Sequence, residues 1–446
     1  MTNEPLVNDF IAGFAKTLES VLGDAETQTR MGRVSEVTGT LVRVSGLDLS
    51  LGELCELLTP AGTVLQRAEV VGLSRQGVVI SPFGSLIGIS SQTLVRRCGR
   101  SLSVPVGPAL LGRVLDAMGQ PIDGRGPLKN VSLRAVMADP PDPMQREMIE
   151  NIFPTGVRAI DSLITIGEGQ RIGVFAPAGV GKSTLMGMLA RGAVCDVAVI
   201  TLIGERGREV REFVELIMGE EGMKRAVVVC ATSDRSAIER AKAAHVGTAI
   251  AEYFRDQGLK VLLMMDSLTR FARAMREIGL ASGEPPARRG FPPSVFAELP
   301  RLVERTGMGK IGSITALYTI LADDDSGGDP ISEEVRGLLD GHIVLSRRIA
   351  AKNQYPAIDV LDSLSRVMSM IVDPRHQAAA GRLRQLMAKY DDVETLLQAG
   401  EYQPGQDADA DMAIARIDAI REFLGQPVTA LTGYDKTIAM LKELTQ

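Results

Sequence analysis

Residues 170–186 constrain the fold of this chain more than any other stretch. An apolar, strand-like run over 171–175 leads into a loop of small residues, Ala176-Pro-Ala-Gly-Val-Gly181, and a helical pattern opens at Lys182-Ser183. Backbone N–H groups of such a loop converge on phosphate oxygens, and the helix N-terminus adds the positive end of its dipole. The pattern predicts an ATP-binding loop with contacts from Ala178, Gly179, Val180, Gly181, Lys182, Ser183 and Thr184. Lys182 is expected to reach the β- and γ-phosphates, and the Ser183 hydroxyl to ligate Mg²⁺. Ala176 stands where the GxxxxGK[ST] pattern has its first glycine, and alanine is small enough for the loop to close.

Two more apolar runs end in carboxylates. The run over 261–265 ends at Asp266, which places that acid at the C-terminal edge of a sheet, where ligands bind. Behind a phosphate loop, Asp266 is expected to hold Mg²⁺ directly or through water. The run over 199–203 ends in Gly204-Glu205-Arg206-Gly207-Arg208-Glu209. Hydrolysis needs a group that orients and polarises a water, and Glu205, at the strand edge, is the candidate. Glu209 and Glu212 read as residues of the next helix's first turn, where its dipole favours acids.

The surrounding pattern supplies the architecture. Strand-like runs over 171–175, 197–203, 226–231, 261–265, 314–320 and 342–345 alternate with helical patterns, which predicts βαβ units in a parallel sheet covered on both faces. Short β-rich runs about ten residues apart fill 31–99, as in a small barrel or sandwich. Residues 100–155, rich in Pro, Gly and Asp, read as turns and linkers. After Pro374 helical patterns cover 376–398, 409–424 and 434–444, with Leu383, Leu386, Met387, Tyr390, Leu396 and Leu397 on one face. Residues 5–23 form an apolar stripe at helical spacing, which suits either packing at home or docking to a partner, a sister subunit or a membrane surface.

At 446 residues the chain has room for several domains, and its formal charge, 49 − 55 = −6, disfavours nucleic acid as a partner. Four cysteines without a CxxC pair read as reduced, buried thiols. No run approaches the roughly 18 apolar residues of a membrane span, and residues 1–9 carry acids rather than the basic start of a secretory signal.

Several long motifs resemble one family. The loop region, Gly204-Glu-Arg-Gly-Arg-Glu209, Asp266-Ser-Leu-Thr-Arg270 and Tyr355-Pro-Ala-Ile-Asp-Val-Leu-Asp-Ser-Leu-Ser-Arg366 resemble the catalytic subunits of rotary ATPases and their export relatives. Gly283-Glu-Pro-Pro-Ala-Arg-Arg-Gly-Phe-Pro-Pro-Ser294, Ala322-Asp-Asp-Asp-Ser-Gly-Gly-Asp-Pro-Ile331 and Gly400-Glu-Tyr-Gln-Pro-Gly405 point to the export branch, type III secretion ATPases first and flagellar export ATPases next. The resemblance implies an α/β fold: an N-terminal β-barrel, a RecA-like P-loop core and a C-terminal helical domain. The division expected is 1–30 for oligomerisation or docking, 31–99 for the barrel, 100–375 for the core and 376–446 for the helices. It implies Mg²⁺-dependent ATP hydrolysis by a homohexamer at the cytoplasmic face of the inner membrane, releasing and unfolding secretion substrates delivered by chaperones.

A central stalk protein, a peripheral stator protein and the inner-membrane export apparatus are the implied partners. Lys182, Ser183, Glu205 and Asp266 match the family's phosphate lysine, Mg²⁺ ligand, catalytic glutamate and second acid. Arg206 and Arg270 match arginines near the γ-phosphate. Tyr355 matches the aromatic stacked on adenine, and Arg366 the arginine finger supplied by a neighbouring subunit. Without the resemblance, Tyr355 reads as a packed strand-end residue and Arg366 as a solvated one. Residues 273–294 suit either the lining of a ring's central channel or an ordinary surface loop. Other readings are a rotary synthase or vacuolar-type subunit, an RNA-translocating ring helicase and a non-catalytic nucleotide-binding regulator. The export-branch motifs, the acidic balance and Glu205 respectively weigh against them.

Overall fold

The computed structural model describes residues 30–74, 77–322 and 328–445. The apolar stripe over 5–23 lies outside the described residues. The chain divides into two compact units, Met1–Arg100 and Ser101–Gln446.

The first unit is a closed six-stranded barrel. Its strands are β1 (Met31–Thr38), β2 (Leu41–Ser45), β3 (Glu53–Leu58), β4 (Val64–Ser74), β5 (Gly77–Pro82) and β6 (Leu94–Ser101), in the order β1-β2-β5-β4-β3-β6. Alternate residues such as Val42 and Val44, Cys55 and Leu57, and Val78 and Ile80 fill its interior. Of the two forms the spacing allowed, barrel and sandwich, the chain adopts the barrel.

The second unit is built on a nine-stranded sheet. Strands β7 (Ser103–Val106) and β9 (Ser132–Ala135) form a separate pair. The main sheet takes β8 (Val114–Leu115), β10 (Arg171–Ala176), β11 (Val197–Ile203), β12 (Ala226–Ala231) and β13 (Lys260–Asp266). It also takes β14 (Gly307–Met308), β15 (Ser313–Leu321), β16 (Gly341–Leu345) and β17 (Ile358–Ser365). Its order is β17-β16-β10-β15-β13-β11-β12-β8, with β14 on β15. Strands β11 and β12 are buried along their whole length, as expected where helices cover both faces.

Two expectations need correction. The sheet is not wholly parallel, because β17 runs antiparallel to β16 and β14 antiparallel to β15. Residues 100–155 are more than turns and linkers: β8 forms the sheet edge against β12, and Val104, Leu110, Leu115 and Val136 are buried. Pro and Gly punctuate that stretch so densely that no periodic run survives to mark its strands.

Three long helices follow β17: Pro374–Ala399, Ala408–Leu424 and Tyr434–Thr445. Leu383 and Leu386 are buried in the main core, with Met387 and Tyr390 partly buried against it, but Leu396 is exposed. The apolar face therefore fades over the helix's last turn, where no element among the described residues covers Leu396. Among the described residues no helix is long and apolar enough to cross a membrane.

Candidate active site

Strand β10 delivers the phosphate loop. Its residues from Ile172 to Ala176 are buried, and the helix Lys182–Gly192 begins where the loop ends. Gly179 and Gly181 have φ of 82° and 89°, in the left-handed region that glycine enters at low cost. Ala176 is different. It is the last residue of β10 and has no positive φ, so the fold does not require glycine there. Ala178, Gly179 and Ser183 are exposed at the loop mouth, Val180 is buried beneath it, and Gly181, Lys182 and Thr184 lie between.

Parallel pairing sets the carboxylates opposite the loop. Asp266 ends β13 and lies in register with Leu202 of β11, while Glu205 follows two residues after β11 ends. Both are buried. Lys182 Nζ lies 2.5 Å from Oδ1 of Asp266 and 3.6 Å from Oε1 of Glu205. Arg270, on the helix Leu268–Ala281, comes within 3.4 Å of the other Glu205 oxygen. Glu205 Oε1 is buried and has no hydrogen-bond partner among the described residues.

Burial first, then the Asp266 charge and a hydrogen bond with Glu209, push the Glu205 carboxyl up to about 7. Glu209 is held below its ordinary value by that same hydrogen bond, acting against its partial burial. It lies in the first turn of the helix Gly207–Glu212, as predicted, whereas Glu212 ends that helix rather than starting it. The ion pair at the site therefore centres on Lys182, with Asp266 in contact and Glu205 one step away.

Four of the predicted charged residues, Lys182, Glu205, Asp266 and Arg270, meet in one cluster. Arg206 stays at the rim, largely exposed and 3.5 Å from Glu209. Tyr355 comes close from another direction: its ring lies 3.5 Å from where a Gly181 Cβ would stand. It borders a cleft of about 760 Å³ that Tyr390, Arg421, Gln426 and Val428 also line, and its carbonyl accepts from the Gln426 N–H at 2.8 Å. The helix Ala408–Leu424 and the turn after it thus help to form the space beside the loop.

Arg366 does not join the cluster. It follows Ser365, which pairs with Gly341 at the start of β16, and β16 runs parallel to β10. Arg366 therefore lies at the sheet edge opposite the phosphate loop of its own chain. Its side chain is exposed and has no ion pair or hydrogen bond among the described residues.

Sequence reasoning passed over Thr319 and Gln426. Thr319 Oγ1 donates to Asp266 Oδ1 at 2.7 Å. The available signal was a hydroxyl near the end of the strand-like run over 314–320, where Thr315 and Tyr318 carry hydroxyls too. Gln426 had no comparable mark beyond its place in the Gly425-Gln-Pro427 break after a helix.

The geometry is matched by similarity to known proteins. The model of the ATP synthase alpha/beta family nucleotide-binding domain matches residues 156–365, and that of the family's beta-barrel domain matches 34–99. The C-terminal domain of the T3SS ATPase EscN matches 372–443. A type 3 secretion system ATPase of Xanthomonas euvesicatoria is 67% identical over 429 residues, 96% of this chain and 97% of that protein. The chain belongs to the type 3 secretion system ATPase family. A flagellum-specific ATP synthase of Bacillus subtilis is 48% identical over 94% of this chain and 96% of its own. The structure of the assembled ATPase EscN from enteropathogenic E. coli superposes with a TM-score of 0.89 at 46% identity, covering 93% of this chain and all of that one. EscN has also been solved in complex with its central stalk EscO, with a TM-score of 0.86 to this chain. A family of ATP-hydrolysing enzymes accounts for a phosphate loop faced by two buried acids.

Proposed function

We propose that this chain hydrolyses ATP to power type III protein secretion, releasing and unfolding chaperone-delivered substrates. The observation that carries the catalytic reading is Lys182 set between two buried carboxylates at the mouth of the phosphate loop, 2.5 and 3.6 Å away. An ammonium held by acids is poised to exchange them for phosphate oxygens. The buried Glu205 Oε1, which has Lys182 3.6 Å away but no hydrogen bond among the described residues, supports hydrolysis over mere binding, because a buried acceptor that lacks a hydrogen bond is costly unless a water or ligand meets it.

The positions of the site residues support the following roles. The loop N–H groups and Lys182 bind the phosphates, Tyr355 stacks on the adenine, and Glu205 orients the attacking water. Arg270 and Arg206 lie on the γ-phosphate side, and Arg366 is presented to the site of a neighbouring subunit. A hydroxyl and a carboxylate, Ser183 and Asp266, are hard oxygen donors of the kind Mg²⁺ takes alongside substrate phosphates. When bound, Mg²⁺ would neutralise charge on the β- and γ-phosphates.

The wider reading follows the relatives. The greater likeness to a secretion-system ATPase than to the flagellum-specific relatives supports the injectisome over the flagellum. The assembled EscN structures support a homohexameric ring that takes a central stalk; a peripheral stator protein and the export apparatus at the cytoplasmic face of the inner membrane complete the machine. In this reading residues 1–30 serve oligomerisation or docking, 31–99 form the barrel domain, 100–375 the ATPase core and 376–446 the helical domain. The test is steady-state phosphate release with Mg²⁺ and ATP. The wild-type protein should turn over and Lys182→Ala should not; near wild-type release from the variant would remove the phosphate-site assignment.

A further inference from the structure

Strand β15 separates the phosphate-loop strand β10 from the Asp266 strand β13. Its tip carries Thr319, whose side chain is fully buried. A buried hydroxyl must find an acceptor. The Met265 carbonyl is in reach at 3.5 Å, but the hydroxyl is 2.7 Å from Oδ1 of Asp266, and one proton serves one strong bond. The same Oδ1 receives Lys182 at 2.5 Å. Two residues on, the Leu321 N–H donates to Thr269 Oγ1 at 2.9 Å. Thr269 stands next to Arg270, which approaches Glu205. The tip of β15 is thus fastened twice to the segment that carries Asp266 and Arg270.

We propose that Thr319 is the positioning residue of the Mg²⁺ side of this site: its hydroxyl holds the Asp266 carboxylate in place when Lys182 leaves it for the phosphates. The inference rests on the reading of Asp266 as an Mg²⁺-side acid. Lys182 cannot neutralise Asp266 and a triphosphate together. The polyanion takes the ammonium, and Asp266 then loses one of the two donors on Oδ1. Thr319 is neutral and anchored in a central strand, so nucleotide does not draw it away. The carboxylate keeps its orientation through the exchange. Partners of this kind, one step behind a metal ligand, typically change metal affinity or activity about 10–100-fold when removed.

The test uses the full chain and a fluorescent ATP analogue, titrated without Mg²⁺ and with excess Mg²⁺, beside phosphate release. Thr319→Val keeps the shape and removes the donor; Thr319→Ser keeps the donor. We expect Thr319→Val to leave Mg²⁺-free binding unchanged, to lose most of the tightening that Mg²⁺ confers, and to lower kcat by about 10–100-fold. Thr319→Ser should behave as wild type in all three. Asp266→Asn serves as the reference. If it loses the Mg²⁺ effect while Thr319→Val keeps both that effect and kcat, the role of Thr319 is refuted and the site reading stands. If Asp266→Asn keeps the Mg²⁺ effect, the site reading itself falls and takes this role with it. Equal losses in Thr319→Val and Thr319→Ser, or a kcat loss with an intact Mg²⁺ effect, would reduce Thr319 to packing. Should Thr319→Val melt early, Thr319→Ala against Thr319→Ser makes the same comparison.

Discussion

Glu205 and Glu209 stand four positions apart, and burial makes them chemically different. Glu205 is 8% exposed and pushed up to about 7, while Glu209 is partly exposed and held below its ordinary value. Glu205→Gln keeps the shape and loses the charge that polarises water. It should still bind a fluorescent ATP analogue and lose about a hundredfold or more of its phosphate release. If Glu209→Gln is instead the inactive variant, the wrong acid was assigned. The pH dependence has a definite sign. A carboxyl raised from 4.5 to about 7 in the folded protein favours folding below 4.5, and that contribution is lost as pH rises through 7. Melts of the nucleotide-free protein should therefore show Glu205→Gln gaining on the wild type between those pH values, and a constant gap would contradict the shift. At this scale Lys182, Ser183 and Asp266 were legible, because motif and strand end mark them. Tyr355 and Arg366 needed the family resemblance, and Thr319 needed coordinates, since nothing local says which strand lies between which.

The helix that follows the phosphate loop packs at Gly187 on the turn that continues the helix after Glu205. After Gly207–Glu212 the chain widens into a π-helical turn, Phe213–Met218, and Ile217 from that turn presses on Gly187 of the helix Lys182–Gly192. A Cβ at Gly187 would fall 2.0 Å from Ile217 Cγ2, so the Ile217 side chain or its backbone would have to shift. Gly187→Ala should lower the unfolding free energy, read from urea denaturation, by the roughly 1–3 kcal/mol typical of overpacking. Ile217→Ala removes the opposing methyl, and the double variant should lose less than the sum of the two single losses. Simple additivity would show that the contact is not made in solution. This contact ties the helix that begins at Lys182 to the segment downstream of Glu205. The element types were readable from period and caps: β11 and β12 fall on the predicted residues. The π turn and the short strand β8 were not, since both are settled by what packs on them.

The whole molecule presents Arg366 at the sheet edge away from its own phosphate loop, which suits action on a neighbour. A cationic fork reaching the γ-phosphate of an adjacent subunit would contribute roughly a thousandfold or more in rate, because the transition state spreads charge over the equatorial oxygens. Activity per subunit should then rise with protein concentration until the assembly is complete. Arg366→Ala and Lys182→Ala should each be nearly inactive alone and should regain activity when mixed as monomers and allowed to assemble. A site with its loop from the Arg366→Ala chain and its finger from the Lys182→Ala chain has both parts intact. Random mixing makes such sites roughly a quarter of the total if the finger acts only across the interface. Unchanged turnover in Arg366→Ala alone would remove the residue from the mechanism. By itself the sequence determined the strands of the core, the phosphate loop and the acids at the strand ends, because these are written in short-range period and chain order. Only the tertiary structure decided which strand separates which, that β17 reverses direction, that β8 pairs with β12, and that Arg366 and Lys182 lie at opposite edges. Those outcomes depend on pairing between residues far apart in the chain, and local pattern carries no record of the partner.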